Sequence, residues 1–327
     1  MARTTARFEG GCLKGRALWV LRAMGVVLFA WLVGRANWSE LARVLGGVNT
    51  TLLYALPPLT ALMVAFRAWR WNQLLAVRDQ ALPYRQAWGM YAIGLFLGSI
   101  TPGRLGDLAK AWYVHGEGML DWDQALAGAL ADRLFDVGFM GILACWAIFQ
   151  LGLAETWLTG EIVQIIGTGM GFALLTSGIA DIKSWLSARK GIAFLLALKD
   201  EIAQLLRAVG VRALILTALA YSVYFAQTLL MAEALGLALA PRDMIAAIVL
   251  VGIAAFLPIS VAGFGTREGL LALIFAHRAI PNSLEMALAF SGLFFAFCFV
   301  VPALMGFACW LKNPLSLSDL KASAVKP

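Results

Sequence analysis

An all-α polytopic membrane protein is the fold class this sequence predicts, and three observations predict it. The chain is 61% hydrophobic, with a mean hydropathy of +0.80, against roughly 45–50% apolar usage in soluble domains. Only 14% of its residues are charged. The net charge of +7 is carried by Lys and Arg lying between apolar runs, which is how charged loops join membrane spans. A nucleic-acid partner is excluded on that distribution. The four cysteines share no CxxC spacing and the two histidines, His115 and His277, lie far apart, so neither a disulfide scaffold nor a metal site is expected. No cofactor is expected either.

An apolar stretch of about 20 residues crosses the hydrocarbon core at about 1.5 Å per residue. Six stretches read as full spans: 17–34, 51–66, 124–151, 161–180, 213–231 and 284–311. The first is preceded by basic residues and followed by Gly34-Arg35-Ala36, as in a signal peptide, but a retained span is the expectation. Residues 181–212 mix charge with an apolar run too short to cross, which reads as an interfacial amphipathic helix. Two further apolar regions, 86–121 and 244–283, are each interrupted by Gly, Pro and charge, at Thr101-Pro102-Gly103-Arg104-Leu105-Gly106-Asp107 and at Val261-Ala262-Gly263-Phe264-Gly265-Thr266-Arg267-Glu268. The whole chain, 1–327, reads as one integral membrane domain.

Lys and Arg accumulate on the cytoplasmic side of short loops. Seventeen fall in the stretches before the first span, in 67–85, in 181–212 and in the tail, against four (Arg35, Arg43, Arg242, Arg278) in the remaining loops. Both termini are therefore expected in the cytoplasm, and the localisation is the cell (inner) membrane. Parity then requires 86–121 to enter from the cytoplasm and return to it, and 244–283 to enter from the opposite face and return there. Gly106 and Gly265 are 159 positions apart, with Gly103 or Ala262 three positions before each and Asp107 or Glu268 soon after. Two re-entrant helical hairpins of opposite orientation, related as an inverted repeat, are one reading, and such repeats point to a midplane binding site. Two Gly/Pro kinks in paired full spans preserve the same parity.

Charges at bilayer depth need a partner or a purpose, since each costs at least about 2.5 kcal/mol even on insertion scales. The candidates are Arg104, Asp107 and Lys110 on the first hairpin, Asp132, Arg133 and Asp136 in the third full span, and Arg267 with Glu268 on the second hairpin. They sum to neutrality, so they can simply pair and staple the bundle. Asp132 and Asp136, four apart, share a helix face that can hold Arg104 or Arg267. The functional reading gives the hairpin helices beginning near Leu105 and Thr266 another role: their N-terminal N–H groups, at Gly103, Gly106, Gly263 and Gly265 with Arg104 and Arg267 beside them, suit an anionic headgroup such as phosphate.

These motifs, with Arg67-Ala68-Trp69-Arg70-Trp71, Asp132-Arg133-Leu134-Phe135-Asp136 and Leu257-Pro258-Ile259-Ser260, resemble in order the flippase-like membrane family named for the lysylphosphatidylglycerol synthase transmembrane domain. Val261-Ala262-Gly263 departs from the family's usual Pro-Gly-Gly. The resemblance implies movement between leaflets of an anionic, aminoacylated or polyprenyl-linked lipid, by a lipid flippase or lipid-binding transporter. Its partner would be a membrane lipid with a phosphate headgroup. Two alternatives stand beside it: a membrane-embedded enzyme using Asp107, Asp132 or Asp136 as a base, and a noncatalytic subunit working with an enzyme of lipid or glycolipid synthesis. No GxSxG, metal cluster, DxD or P-loop supports an enzyme, so none is expected.

Overall fold

Helix is the only regular structure among the described residues, which in this computed structural model are 27–100, 106, 109–152, 189–256 and 263–312. The elements are α1 (27–35), α2 (Trp38–Gly46), α3 (Thr50–Leu53), α4 (Leu56–Ala76), α5 (Tyr84–Ile100) and α6 (Ala109–Gly116). They continue with α7 (Trp122–Gln150), α8 (Arg189–Ala234), α9 (Pro241–Phe256), α10 (Thr266–His277), α11 (Ser283–Phe295), a π-helical turn (Ala296–Val300) and α12 (Val301–Lys312). Three helical stretches are long and apolar enough to cross a membrane: Thr50–Ala76, Leu198–Ala234 and Ser283–Lys312. The span expected over 161–180 lies outside the described residues.

Contacts divide the chain into two compact units, the first comprising Met1–Val48, Trp146–Ala173 and Leu235–Gly292, the second Asn49–Cys145, Leu174–Ala234 and Leu293–Pro327. In the second unit α4 packs along α8, and α12 along α5. Pro57 and Pro58 open α4, where their missing N–H groups cost nothing. The buried positions Thr60, Met63, Val64, Ala68, Trp71 and Leu75 then recur at helical spacing through to its end. Thus α4 runs ten residues beyond the expected boundary at 66, and Arg67 and Arg70, read as loop charges, lie on the helix. Asn72 closes the following turn by exchanging two 2.9 Å hydrogen bonds with the backbone of Leu82. Ala127 and Ala131 of α7 are fully buried against Leu198, Leu205, Val209 and Ala213, which continues α8 without a break through the region read as a separate interfacial helix. The hydrophobic stripe simply carries on in register, so nothing ends the helix there.

Gly306 sets the closeness of α12 and α5, because a Cβ at that position would overlap the Ala92 carbonyl group. The π turn ahead of α12 has its cause one residue later. Pro302 has no N–H to give and its ring crowds the carbonyl four residues back, so the register loosens before it. Val301 N–H then bonds Ala296 O, five residues back, in place of Phe297 O.

In the first unit α9 packs against α10. Asn37 caps α2, accepting from the N–H groups of Ser39 and Glu40. In both interrupted regions helix is described on either side of residues outside the described set: α5 to Ile100 and α6 from Ala109, α9 to Phe256 and α10 from Thr266. With 8 and 12 residues, α6 and α10 rise about 12 and 18 Å, less than the roughly 30 Å of hydrocarbon.

Candidate functional site

The second unit holds a buried charge cluster assembled from four helices. Arg70, whose side chain is fully enclosed, donates from Nε to Asp132 Oδ1 at 2.7 Å and from Nη1 to Asp136 Oδ1 at 2.8 Å. Nη1 also reaches Thr217 Oγ1 at 2.8 Å, and that hydroxyl donates to Ala213 O one turn back on α8. Lys110 of α6 pairs with the second oxygen of Asp132. Its ammonium stands 4.6 Å from the Tyr91 ring centre and 5.9 Å from that of Trp71. Arg67 lies 5.2 Å over Tyr221, which itself stacks on Phe139.

Three cations, Arg67, Arg70 and Lys110, thus surround two carboxylates. Arg67 Nε and Arg70 Nη2 are buried N–H donors with no hydrogen-bond acceptor among the described residues. Arg133 is half-buried on α7 beside Asp132.

The shared face read for Asp132 and Asp136 is present. Arg267 pairs with Glu268 instead, and the two carboxylates are held by Lys110 and by Arg70, which was not among the expected charges. The reason is the length of α4, which carries Arg70 into the interior that the expected loop boundary denied it. Sequence had a signal for this. Arg67, Arg70, Trp71 and Leu74 continue the helical spacing of the apolar residues before them. Gly103, Arg104 and Asp107 lie outside the described residues. Gly106 is buried against the backbone of Leu97, where any Cβ would overlap.

The first unit holds a second cluster, at the start of α10. Gly263 and Gly265 take φ values of 80° and 82°, a region open to glycine at no steric cost, and turn the chain into the helix. Glu268 Oε2 then accepts the Gly265 N–H at 2.6 Å, closing the capping box. Its other oxygen takes Arg267 at 2.9 Å and the Ser291 hydroxyl, and Arg267 Nε reaches Ser291 Oγ at 2.7 Å. The helix end read as an anion seat is therefore filled by the chain's own carboxylate, and Arg267 faces that carboxylate. A third polar group joins the ends of three helices: Gln150 donates to Asp243 at 2.7 Å, and Arg278 to Gln150 O at 3.0 Å.

Apolar helices of membrane-crossing length, with ion-paired charges enclosed among them, define a polytopic helical membrane protein. The chain belongs to the family described as the lysylphosphatidylglycerol synthase TM region, which matches residues 18–306. That places it among integral membrane proteins of lipid handling or synthesis. No curated protein and no solved structure matches it significantly.

Proposed function

We propose that the chain is a lipid flippase or lipid-binding transporter of the inner membrane, and that it receives an anionic headgroup at the Arg67–Arg70–Lys110 cluster. One observation carries the reading. Buried Arg70 and Lys110 hold two carboxylates with half-buried Arg67 beside them, and two arginine N–H groups point to no acceptor in the described protein. Enclosed donors of that kind favour an oxyanion, and the planar guanidinium fits phosphate oxygens two at a time. Arg104, with Gly103, Gly106 and Asp107 of the first hairpin, belongs to the same proposed path. The short α6 and α10 support re-entrant hairpins of opposite orientation. Both carboxylates of the cluster are engaged by cations, which disfavours them as bases and supports movement without chemical change.

The test is transport of a fluorescent anionic phospholipid in proteoliposomes. Arg67→Gln and Arg104→Gln should each abolish it while leaving protein yield and elution unchanged, and Arg104→Lys should restore only part. Full transport by both glutamine variants would overturn the site. Mass spectrometry of the recovered lipid separates transport from catalysis, since any change in headgroup mass would indicate an enzyme. Impermeant thiol reagents on single cysteines at 80, 200 and 238 check orientation, with labelling in intact cells expected at 238 alone.

A further inference from the structure

A polar cluster in the second unit, away from the charges, joins α4, α8 and the π turn. Thr60 Oγ1 is its centre: it lies 3.0 Å from Leu56 O, 3.1 Å from Phe297 O and 2.6 Å from the Gln227 side-chain amide. Thr60 and Gln227 are both fully buried. Gln227 Nε2 donates to Thr60 Oγ1 and, at 3.1 Å, to Leu56 O, while Gln227 Oε1 has no donor among the described residues. Phe297 O is available because the π register gives the Val301 N–H to Ala296 instead. The hydroxyl and the amide bring three hydrogens to four oxygens, so one acceptor is left over. That is costly in a buried site.

We infer that Leu56 O, Thr60 Oγ1, Gln227 Oε1 and Phe297 O form a binding site for a monovalent cation of sodium's size. A half-turn of the Gln227 amide exchanges Nε2 for Oε1 and sets that oxygen beside Thr60 Oγ1 and Leu56 O, gathering four neutral oxygens in one cluster. Hard alkali cations take oxygen ligands, and backbone carbonyls released by irregular helix are a recurrent source of them in membranes. With Thr60 Oγ1 within 3.1 Å of Leu56 O, Phe297 O and the Gln227 amide, the group needs to open less for an ion as small as sodium than for potassium. Thr60 lies two helical turns before Arg67 on α4, and Gln227 lies ten residues after Thr217 on α8, so the same two helices carry this site and the charge cluster. The inference does not depend on the lipid reading.

Thermal unfolding of the detergent-solubilised full-length protein tests it, in NaCl, KCl and choline chloride at matched ionic strength and without added lipid. A ligand that binds only the folded state raises Tm with its concentration, so NaCl should give a graded rise that KCl and choline chloride do not. Thr60→Val, which keeps the volume, and Gln227→Leu should remove the rise. Thr60→Ser should keep it, and Gln227→Glu should strengthen apparent sodium affinity by about tenfold through added charge. Equal Tm in all three salts overturns the site and leaves a hydrogen-bonded knot holding three helices together. A sodium effect that survives both Thr60→Val and Gln227→Leu also overturns it.

Discussion

The two charge clusters use the same residue types to opposite ends. At α10 a single Arg and a single Glu sit side by side in sequence, and every oxygen of Glu268 is committed to Arg267, Ser291 or the Gly265 N–H. Around Arg70 the charges come from three separated stretches, and the cations outnumber the carboxylates. A cluster with one cation to one carboxylate shapes a turn. One with a surplus cation has capacity for an anion. Local sequence makes the first self-sufficient, whereas the second depends on α4, α6, α7 and α8 meeting.

The largest expected effect follows from removing the carboxylate shared by two cations. Asp132→Ala leaves Lys110 without its carboxylate and Arg70 with Asp136 alone, and should cost about 3–5 kcal/mol, read as loss of folded protein in a thermal-stability assay on solubilised material. A loss no greater than that of a surface substitution would mean that the cluster is hydrated. At α10, Arg267→Met and Glu268→Gln should each destabilise, yet the double variant should recover most of the loss, since glutamine still caps the helix and no charge is left unpaired. The coupling should amount to about 1–3 kcal/mol, and additive losses would break the picture of a closed pair. Lipid transport by that double variant should persist, which sharpens the contrast with the other cluster.

Arg67→Gln inverts that pattern. Its stability should fall by only about 1 kcal/mol, because Arg67 makes no ion pair within 4 Å among those described, while anionic-lipid affinity should fall by about tenfold or more. Equal binding by wild type and variant would transfer the role to Arg70 alone. The smallest effect is expected at the long pair of buried Asp243 and partly exposed Arg278, 3.4 Å apart. Asp243→Asn keeps the Gln150 contact and should cost about 0.5 kcal/mol or less in the same stability assay.

Much of this architecture was legible in the sequence because membranes impose length and apolarity, and both survive in composition. Residues 213–231 and 284–311 fall within two of the stretches long and apolar enough to cross, Leu198–Ala234 and Ser283–Lys312. The pairing of Asp132 with Asp136 on one face followed from helical spacing alone. Arg70 was not legible as their partner, because a basic residue just past an apolar run is equally the mark of a cytoplasmic loop. Only the continuing period of Ala68, Trp71 and Leu75 separates the two cases. Taking Arg67 and Arg70 out of the loop count leaves fifteen basic residues against four, so the expected orientation keeps its basis. The capping role of Glu268 was hidden differently. An acidic residue soon after a glycine turn reads as a repeat of Asp107, and a capping box with glycine at its first position lacks the Ser or Thr that normally announces one.

The length of α8 has a mechanical consequence. At 46 residues it is a rod of about 69 Å, more than twice the thickness of the hydrocarbon layer. Thr217 and Gln227, on its second half, grip Arg70 and Thr60. A tilt of a few degrees about its middle displaces a point near either end by about the length of a hydrogen bond. A push on the basic stretch around Lys199 and Arg207 therefore arrives, as leverage, at both polar clusters at once.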